Sequence, residues 1–393
     1  MEFTPLPFRA PFPQYEKQAE GLLAALRSGD SEAISIFNRN HPKFLDSRIR
    51  WLPLSVSASE IQSAGLDLAD AQVVLAALYG FRDWDSLKQH VSAVTQENSE
   101  VFLFESAVEA VIHGEADTLK SLLRGHPDLI RARSTRITPH DPPMHRATLL
   151  HYVAANGVEG YRQKTPPNAV EIATILLEAG AEPDALADMY GSECTVMAML
   201  VSSCHPAEAG VQAEIAELLV DFGASVDPYG AGSWTSPLMT ALAFGYGDSA
   251  EALVRRGAKV DNLAAAAGLG RIDDARRLLP TADAESRHRA LALAAQHGHA
   301  GIVAMLLDAG EDPNRYNPPG NHAHSTPLHQ AALAGHDSTV RLLVERGASP
   351  EIKDTVWQGT PLGWAEHGGH KEIAEYLRGV KGGGPPEPQN QRN

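Results

Sequence analysis

Three loop segments each pair side chains that could perform acid–base chemistry or bind an anion. The pairs are Asp141 with His145, Tyr161 with Arg162, and His205 with Glu208. A carboxylate or an imidazole can take and return a proton, and a guanidinium can hold an anionic group through parallel hydrogen bonds. If the segments carrying the last two pairs lie side by side, their four side chains predict an acid, a base and an anion clamp. Chance clustering explains the same spacing equally well.

No catalytic motif accompanies these residues. The sequence contains no GxSxG nucleophile turn, no GxxxxGK[ST] phosphate loop and no HExxH helix. The GLGR string that begins at Gly268 is interpreted as a turn between helices. We therefore expect a non-catalytic protein, and we keep an enzymatic or small-molecule pocket as the alternative.

A second candidate for chemistry is the pair of imidazoles at His322 and His324. No cysteine, aspartate or glutamate lies near them at the spacing of zinc ligands, so we predict no metal site and no cofactor. The two cysteines, Cys194 and Cys204, are too few for a disulfide framework or a cysteine-only zinc site. We expect both thiols to be reduced.

Charge and composition limit the classes of function. The 393 residues carry a net charge of −16 and are 43% hydrophobic. Such an acidic globular chain is expected to avoid nucleic acid and anionic membranes and to favour basic or neutral partners. The first residues, MEFTPLPFRAPFPQ, are interrupted by proline and have no long apolar core. We therefore expect no signal peptide or membrane anchor, and a cytoplasmic location.

An internal repeat supplies the elements that position these side chains. TPLHQAALAGH at residues 326–336 returns one period later as TPLGWAEHGGH at residues 360–370. Between the copies, apolar residues at helical spacing run from Val340 to Val344, and the pattern ends at Gly347. Each repeat is therefore predicted to be two short antiparallel helices and a loop.

These strings resemble the ankyrin-repeat family, whose period is about 33 residues and whose T-P-L-H-x-A motif matches the first copy. The resemblance covers roughly Phe102 to Leu377 and weakens towards the N-terminus. It implies an all-α solenoid of stacked helix-turn-helix repeats with finger loops, each of which joins the second helix of one repeat to the first helix of the next. It also implies that His151 and His329, in the TPLH position, bond to the backbone of the adjoining loop. Family members usually bind partner proteins through finger loops and inner helices, the first helices of the repeats.

Glycines mark the predicted ends of the second helices. These glycines are Gly180, Gly223, Gly257, Gly310 and Gly347. Each can adopt the left-handed conformation that satisfies the last carbonyl groups of a helix. Residues 260–280 and 286–310 contain both helices of a repeat but no TPLH-type start. These trimmed repeats predict short finger loops and a step in the binding face that could shape a pocket.

The regions outside the repeats complete the predicted domain order. Residues 1–15 form an N-terminal extension, and residues 16–100 form a helical region with a degenerate repeat and a cap. Within that region, residues 66–94 resemble the amphipathic leader found ahead of many bacterial ankyrin proteins. The repeat array is predicted at residues 101–380, and a tail at residues 381–393 is predicted to be disordered because it cannot bury apolar surface.

Departures from the plain repeat supply the candidate binding residues. Four insertions combine proline with polar side chains, and the second and fourth also carry a tyrosine: STRITPHDPPMHRA, GVEGYRQKTPPNAV, SSCHPAEAGVQ and RYNPPGNHAHS. The predicted contacts with a partner protein are Tyr229, Trp234, Tyr246, Arg315, Tyr316, His322, His324, Asp354, Trp357 and Trp364. Alternatively, long loops are merely tolerated, at about 0.6 kcal/mol for each doubling of length, and the tryptophans pack between repeats. The sequence thus favours a protein-recognition module, with a small-molecule pocket among the inserted loops as the second hypothesis.

Overall fold

The computed structural model describes residues 4–49, 51–227 and 236–382. Two compact units divide the chain, unit 1 at Met1–Ala224 and unit 2 at Ser225–Asn393. Each is built almost entirely from short helices, as the sequence predicts. In the part of the chain that the structure describes, no helix combines the length and the apolar character needed to span a membrane.

Twelve α-helices form the described part of unit 1. They are α1 Phe12–Ser28, α2 Ser31–Asn40, α3 Ala58–Gln62, α4 Leu68–Leu78, α5 Trp84–Val94, α6 Glu100–His113, α7 Ala116–Gly125, α8 Leu149–Val153, α9 Ala169–Glu178, α10 Val196–Leu200, α11 Cys204–Glu208 and α12 Gln212–Asp221. Single 3-10 turns occur at Pro42–Phe44, Pro127–Arg131 and Gly160–Arg162.

Local sequence signals start and end the helices of unit 1. Asp67 and Asp70 form a reciprocal capping box at the start of α4, which satisfies two backbone donors that a helix start leaves free. The α1–α2 turn at Gly29 and the α6–α7 turn at Gly114 both have positive φ, 83° and 72°. The two segments therefore share the helix-turn-helix pattern that the sequence predicts. The boundary at residue 100 stays a prediction, and α6 begins at that residue.

A short antiparallel hairpin in unit 1 departs from the expected pattern. Strands β1 (Leu186–Met189) and β2 (Ser192–Thr195) pair within the finger loop between α9 and α10, with Leu186 opposite Thr195. Helix α10 therefore begins at Val196, directly after β2. These strands could not be predicted from the sequence because each has four residues, too few for a period-2 pattern to stand out.

Ten α-helices form the described part of unit 2. They are α13 Pro237–Ala243, α14 Gly247–Arg255, α15 Leu263–Gly268, α16 Ile272–Leu278, α17 Ala284–Gln296, α18 Ala300–Asp308, α19 Pro327–Leu333, α20 Asp337–Glu345, α21 Pro361–His367 and α22 Lys371–Gly382. The inner helices α13, α15, α17, α19 and α21 pack one on the next. The predicted helix-ending glycines in both units have φ between 91° and 105°. The trimmed repeats do have short connections, and only residues 282 and 283 separate the 3-10 turn Leu279–Thr281 from α17.

Small residues and turn histidines hold neighbouring repeats of unit 2 together. Ala294, Ala295, Ala331 and Ala332 are fully buried between inner helices, and their small side chains let these helices pack closely. Each turn histidine donates from Nε2 to a carbonyl oxygen of the preceding repeat. The three bonds are His299 to Gly268 at 3.0 Å, His336 to Gln296 at 2.9 Å and His370 to Leu333 at 2.9 Å.

Histidines in the TPLH position act as the resemblance implies. His329 Nδ1 lies 2.8 Å from Thr326 Oγ1, and its Nε2 donates to the carbonyl oxygen of Gly359 at 3.2 Å. His151 makes the equivalent contacts with Thr148 Oγ1 at 2.9 Å and with the carbonyl oxygen of Cys194 at 3.5 Å. Each ring therefore caps its own helix and binds the next finger loop.

Candidate binding surface

An aromatic strip lies on unit 2. We define it as Phe244, His322, His324, Trp357 and Trp364. Consecutive ring centroids lie 6.4, 5.9, 5.0 and 6.2 Å apart in that order, and most pairs meet edge to face. Phe244 and Trp357 are 49% and 56% exposed. Four of the five members are among the predicted binding residues, and the fold brings them together.

The enlarged finger loop at residues 315–325 carries the middle of the strip. His322 Nε2 donates to the carbonyl oxygen of Ala243, at the end of α13, at 2.8 Å. Arg289 on α17 donates to the carbonyl oxygen of Pro319 at 2.8 Å and to Asn321 Oδ1 at 3.3 Å. The loop therefore reaches back across the trimmed repeats to the end of α13.

Asp354 shapes the finger loop that presents Trp357. It is fully buried, and its carboxylate accepts hydrogen bonds from the backbone nitrogens of Val356, Trp357 and Gly359 at 2.9, 2.6 and 2.7 Å. Trp364 Nε1 donates to the same carboxylate at 3.1 Å. Burial tends to raise the pKa of Asp354, but these hydrogen bonds hold it below the usual range. Asp354 was expected to contact a partner; it has no exposed surface and instead holds the backbone at Trp357 and the ring of Trp364.

The remaining predicted contacts of unit 2 flank the strip. Tyr246 stacks on Phe244 with centroids 6.4 Å apart and an interplanar angle of 16°. Tyr316 is 38% exposed and donates from Oη to the carbonyl oxygen of Lys353 at 2.7 Å, which ties two finger loops together. Arg315 beside it is exposed.

Two of the predicted contacts lie outside the part of the chain that the structure describes, and one member of the strip was not predicted. Tyr229 and Trp234 lie outside the described residues. Phe244 was not among the predicted contacts, although an aromatic residue in the AFGYG turn, where the repeat is usually polar, could have indicated it.

A buried charge cluster lies in unit 1. We define it as Glu105, Arg136, His145, Glu159 and Arg162, none of which is more than 5% exposed. Arg162 pairs with Glu105 at 2.6 Å and with Glu159 at 3.3 Å, and Arg136 pairs with Glu159 at 3.3 Å. His145 Nε2 lies 2.6 Å from Glu159 Oε1. The two guanidiniums thus compensate two carboxylates in a water-poor environment, which is what buried charges require.

Aromatic rings enclose this charge cluster. Both terminal nitrogens of Arg136 donate to Tyr161 Oη at 3.0 Å, and its guanidinium lies 4.2 Å from the centroid of the Phe81 ring. Tyr152 Oη donates to Glu159 Oε1 at 3.0 Å. Tyr161 and Arg162 reach the charge cluster because the inserted segment folds into the Gly160–Arg162 turn.

The charges in this cluster alter the acidity of their neighbours. Burial tends to raise the pKa of Glu159, but Arg136 and Arg162 outweigh it and hold that pKa well below its usual range. Burial lowers the pKa of His90, which lies 3.9 Å from Glu105, to about 4. Glu159 is therefore ionised and His90 neutral near pH 7.

The structure separates the predicted acid–base pairs. Asp141 is exposed and pairs with Arg82 at 2.9 Å, whereas His145 is buried against Glu159, so the expected Asp141–His145 pair does not form. His205 and Glu208 lie on α11. Among the described residues, no hydrogen bond or ion pair links either of them to Tyr161 or Arg162. The expected four-residue site is therefore absent from the described part of the chain.

Sequence reasoning found part of the charge cluster and missed the rest. It singled out His145 and Arg162 as candidates but passed over Glu105 and Glu159. The signal for Glu105 is a carboxylate in the otherwise apolar string FESAVEAVI of α6, four residues before Glu109. In the described residues, no group of three or more histidine, cysteine or acidic side chains has the arrangement of a metal site.

Comparison with known proteins places the repeats in context. Residues 316–383 match the model described as "Ankyrin repeats (3 copies)", and residues 288–318 match the model described as "Ankyrin repeat". Over 75% of its length the chain is 29% identical to the ankyrin repeat and KH domain-containing protein mask-1 of Caenorhabditis elegans. It spans only 10% of that relative.

Two shorter human proteins match over most of their own length. The chain is 34% identical to cyclin-dependent kinase inhibitor 2A over 31% of its own residues and 79% of that protein. It is 33% identical to cyclin-dependent kinase 4 inhibitor B over 32% of its own residues and 91% of that protein.

Proposed function

Because this chain belongs to the ankyrin-repeat family, we propose that it is a non-catalytic recognition module that binds another protein through the finger loops and inner helices of unit 2. The observation that carries the proposal is the aromatic strip. Phe244 and Trp357 remain about half exposed although neighbouring rings and hydrogen bonds already hold them in place. Exposed aromatic side chains that are positioned in advance bind with little loss of conformational entropy.

The chemistry of the partner follows from the rings and from the charge of the chain. A net charge of −16 favours a basic or neutral partner over nucleic acid. Two relatives are named as inhibitors of cyclin-dependent kinases, and an action on another protein is the feature we carry over to this chain. The partner should present apolar side chains to the strip and basic groups around it.

An enzymatic role receives no support from the arrangement of charges. In unit 1 the candidate base His145 is bound to Glu159 and buried. A group that must exchange protons with a substrate needs to reach it.

Compartment and origin are part of the proposal. Cys194 and Cys204 are both free thiols, which fits the reducing conditions of a cytoplasm. The bacterial-type origin stays a prediction that the relatives named above do not support, since they come from animals.

Affinity capture from the source organism tests the proposal. The immobilised chain is compared with a Phe244→Ala/Trp357→Ala variant and with a matched Phe222→Ala/Trp51→Ala control, whose rings are 40% and 64% exposed in unit 1. A partner that wild type and control retain, and that the first variant loses, is then purified for affinity measurement. We expect a loss of about 30-fold or more, the size of a binding hot spot.

One result would reject the aromatic strip. A purified partner that binds all three proteins equally excludes these rings from the interface. A first variant whose circular dichroism melting curve differs from that of wild type would owe its loss to unfolding, and single substitutions would then replace it.

A further inference from the structure

A cavity of about 340 Å³ lies in unit 1 next to the charge cluster. Tyr15, Phe81, Val91 and Ile112 contribute to its apolar walls. A cavity of this size is within the range that small organic ligands occupy in proteins.

Cationic side chains are concentrated in the lining of this cavity. Arg136, Arg162 and Lys164 line it, and Glu109, which also lines it, is paired with Arg162 at 3.1 Å. Both arginines are more than nine-tenths buried, and each has an Nε donor without an acceptor among the described residues. A buried donor without an acceptor is costly unless a ligand or water satisfies it.

Lys164 supplies a positive charge that the protein leaves uncompensated. It is exposed, and its Nζ lies 3.4 Å from His113 Nε2. In the described part of the chain, no carboxylate pairs with it. The lining therefore combines an apolar body with a lysine ammonium that no carboxylate of the described residues pairs with.

We propose that this cavity binds a small organic carboxylic acid, with its apolar body against the rings and its carboxylate at Lys164 and Arg162. A carboxylate accepts strong hydrogen bonds from an ammonium and from a guanidinium at the same time. A bare inorganic anion would satisfy the cations but leave the apolar walls without a contact. This site lies in unit 1 and does not depend on the aromatic strip.

The N-terminal segment Thr4–Phe8 forms part of the enclosure. The backbone nitrogen of Leu6 donates to Tyr79 Oη at 2.7 Å, and Tyr79 donates in turn to Gln18 Oε1 at 2.9 Å. Gln18 Nε2 donates to the carbonyl oxygen of Thr4 at 3.0 Å. Tyr79 also lines the cavity, so the contacts that hold the segment belong to the proposed site itself.

Isothermal titration calorimetry on the full chain tests the proposal at low ionic strength. The probes are hexanoate, benzoate and 2-naphthoate, with 2-naphthamide as an uncharged match for the last and inorganic phosphate as a bare anion. We expect at least one carboxylate to bind, and the amide to bind at least about tenfold more weakly than 2-naphthoate because it lacks the charge. Lys164→Met should weaken the best carboxylate by about tenfold, and Lys259→Met, which changes an exposed lysine of unit 2, should not.

Each opposite result overturns the proposal. Absence of binding by all three carboxylates at millimolar concentration excludes the site. Equal affinities for 2-naphthoate and its amide exclude the carboxylate contact, as does an unchanged affinity in Lys164→Met. Phosphate binding as tightly as the best carboxylate would mean that the apolar walls contribute nothing. Because Lys164 is exposed, its replacement leaves the fold intact, and circular dichroism checks this.

Discussion

The imidazole of His322 donates to the carbonyl oxygen of Ala243 at 2.8 Å, across 79 residues of chain. This contact takes the enlarged finger loop back over the trimmed repeats and brings the loop to Phe244, the residue after Ala243. His322 has a φ of 57°, in the left-handed region that a residue with a side chain seldom adopts. The hydrogen bond therefore holds a loop conformation that the backbone alone does not favour.

Replacing His322 tests whether this bond orders the loop. In His322→Asn the shorter side chain cannot donate to the carbonyl oxygen of Ala243, while asparagine still tolerates positive φ. We expect amide hydrogen exchange at residues 315–325 to accelerate, and the free energy of unfolding to fall by about 1 kcal/mol, the net value of one hydrogen bond. His205→Asn, a change outside unit 2, is the control. Exchange rates in the loop that match those of the control would show that other contacts hold it.

Replacing Asp354 tests how strongly its buried carboxylate stabilises the finger loop that presents Trp357. Asp354→Ala leaves three backbone nitrogens and Trp364 Nε1 without their acceptor. We expect unfolding free energy to fall by about 2–4 kcal/mol, because several hydrogen bonds to a charged group are lost together. Urea titration followed by tryptophan fluorescence measures this loss. Asp308→Ala removes an exposed carboxylate paired with Arg346 and should cost less than about 1 kcal/mol; equal losses in the two variants would contradict the buried role.

The sequence predicted the repeats well because local rules determine them. The helix-ending glycines need positive φ, and His329 needs a threonine three residues earlier, so both follow from short strings. The aromatic strip was predicted in part because aromatic residues in a finger loop break the repeat pattern. Its missing member, Phe244, becomes a neighbour only when the loop of His322 folds back over 79 residues.

The charge cluster was harder to predict because its members come from separate segments. Glu105 lies on α6, Arg136 in the first insertion and Glu159 in the second. No spacing rule connects such residues; only the packing of unit 1 does. The hypothesis that Asp141 works with His145 is wrong for the same reason. The two residues are close in sequence, but the packing of unit 1 leaves Asp141 on the surface and buries His145.

Removing one cation of the charge cluster should destabilise unit 1 more than removing that cation together with one of the carboxylates it pairs with. Arg162→Met leaves the carboxylates of Glu105 and Glu159 without one of their cations, and we expect a loss of about 3–5 kcal/mol. Adding Glu105→Gln removes one of the stranded charges and should recover part of that loss. Urea unfolding of the single and double variants gives the coupling free energy. Additive losses would mean that Arg162 and Glu105 do not stabilise each other.

The stability of unit 1 should decline as the pH falls through a range set by His90. Its pKa in the folded protein is about 4, below the ordinary value of 6.5, because burial disfavours the charged form. The unfolded chain therefore binds a proton at a higher pH than the folded protein. This makes stability fall as the pH drops from about 6.5 towards 4, by about 2 kcal/mol between pH 7.5 and pH 5 from this group.

The variant His90→Gln isolates that contribution, since glutamine is polar and does not titrate. Glu105 is the charged neighbour of His90. Burial tends to raise its pKa, but Arg162, His90 and Arg136 outweigh that effect and lower it. Glu105 therefore loses its charge below the ordinary carboxylate range, outside the interval between pH 7.5 and pH 5. The free energies of unfolding measured in urea at pH 7.5 and at pH 5 should therefore lie about 2 kcal/mol closer together in His90→Gln than in wild type. His126→Gln replaces an exposed histidine of the same unit and should keep the wild-type difference. If His90→Gln keeps it too, His90 is protonated in the folded protein as readily as in the unfolded chain, and burial does not control its charge.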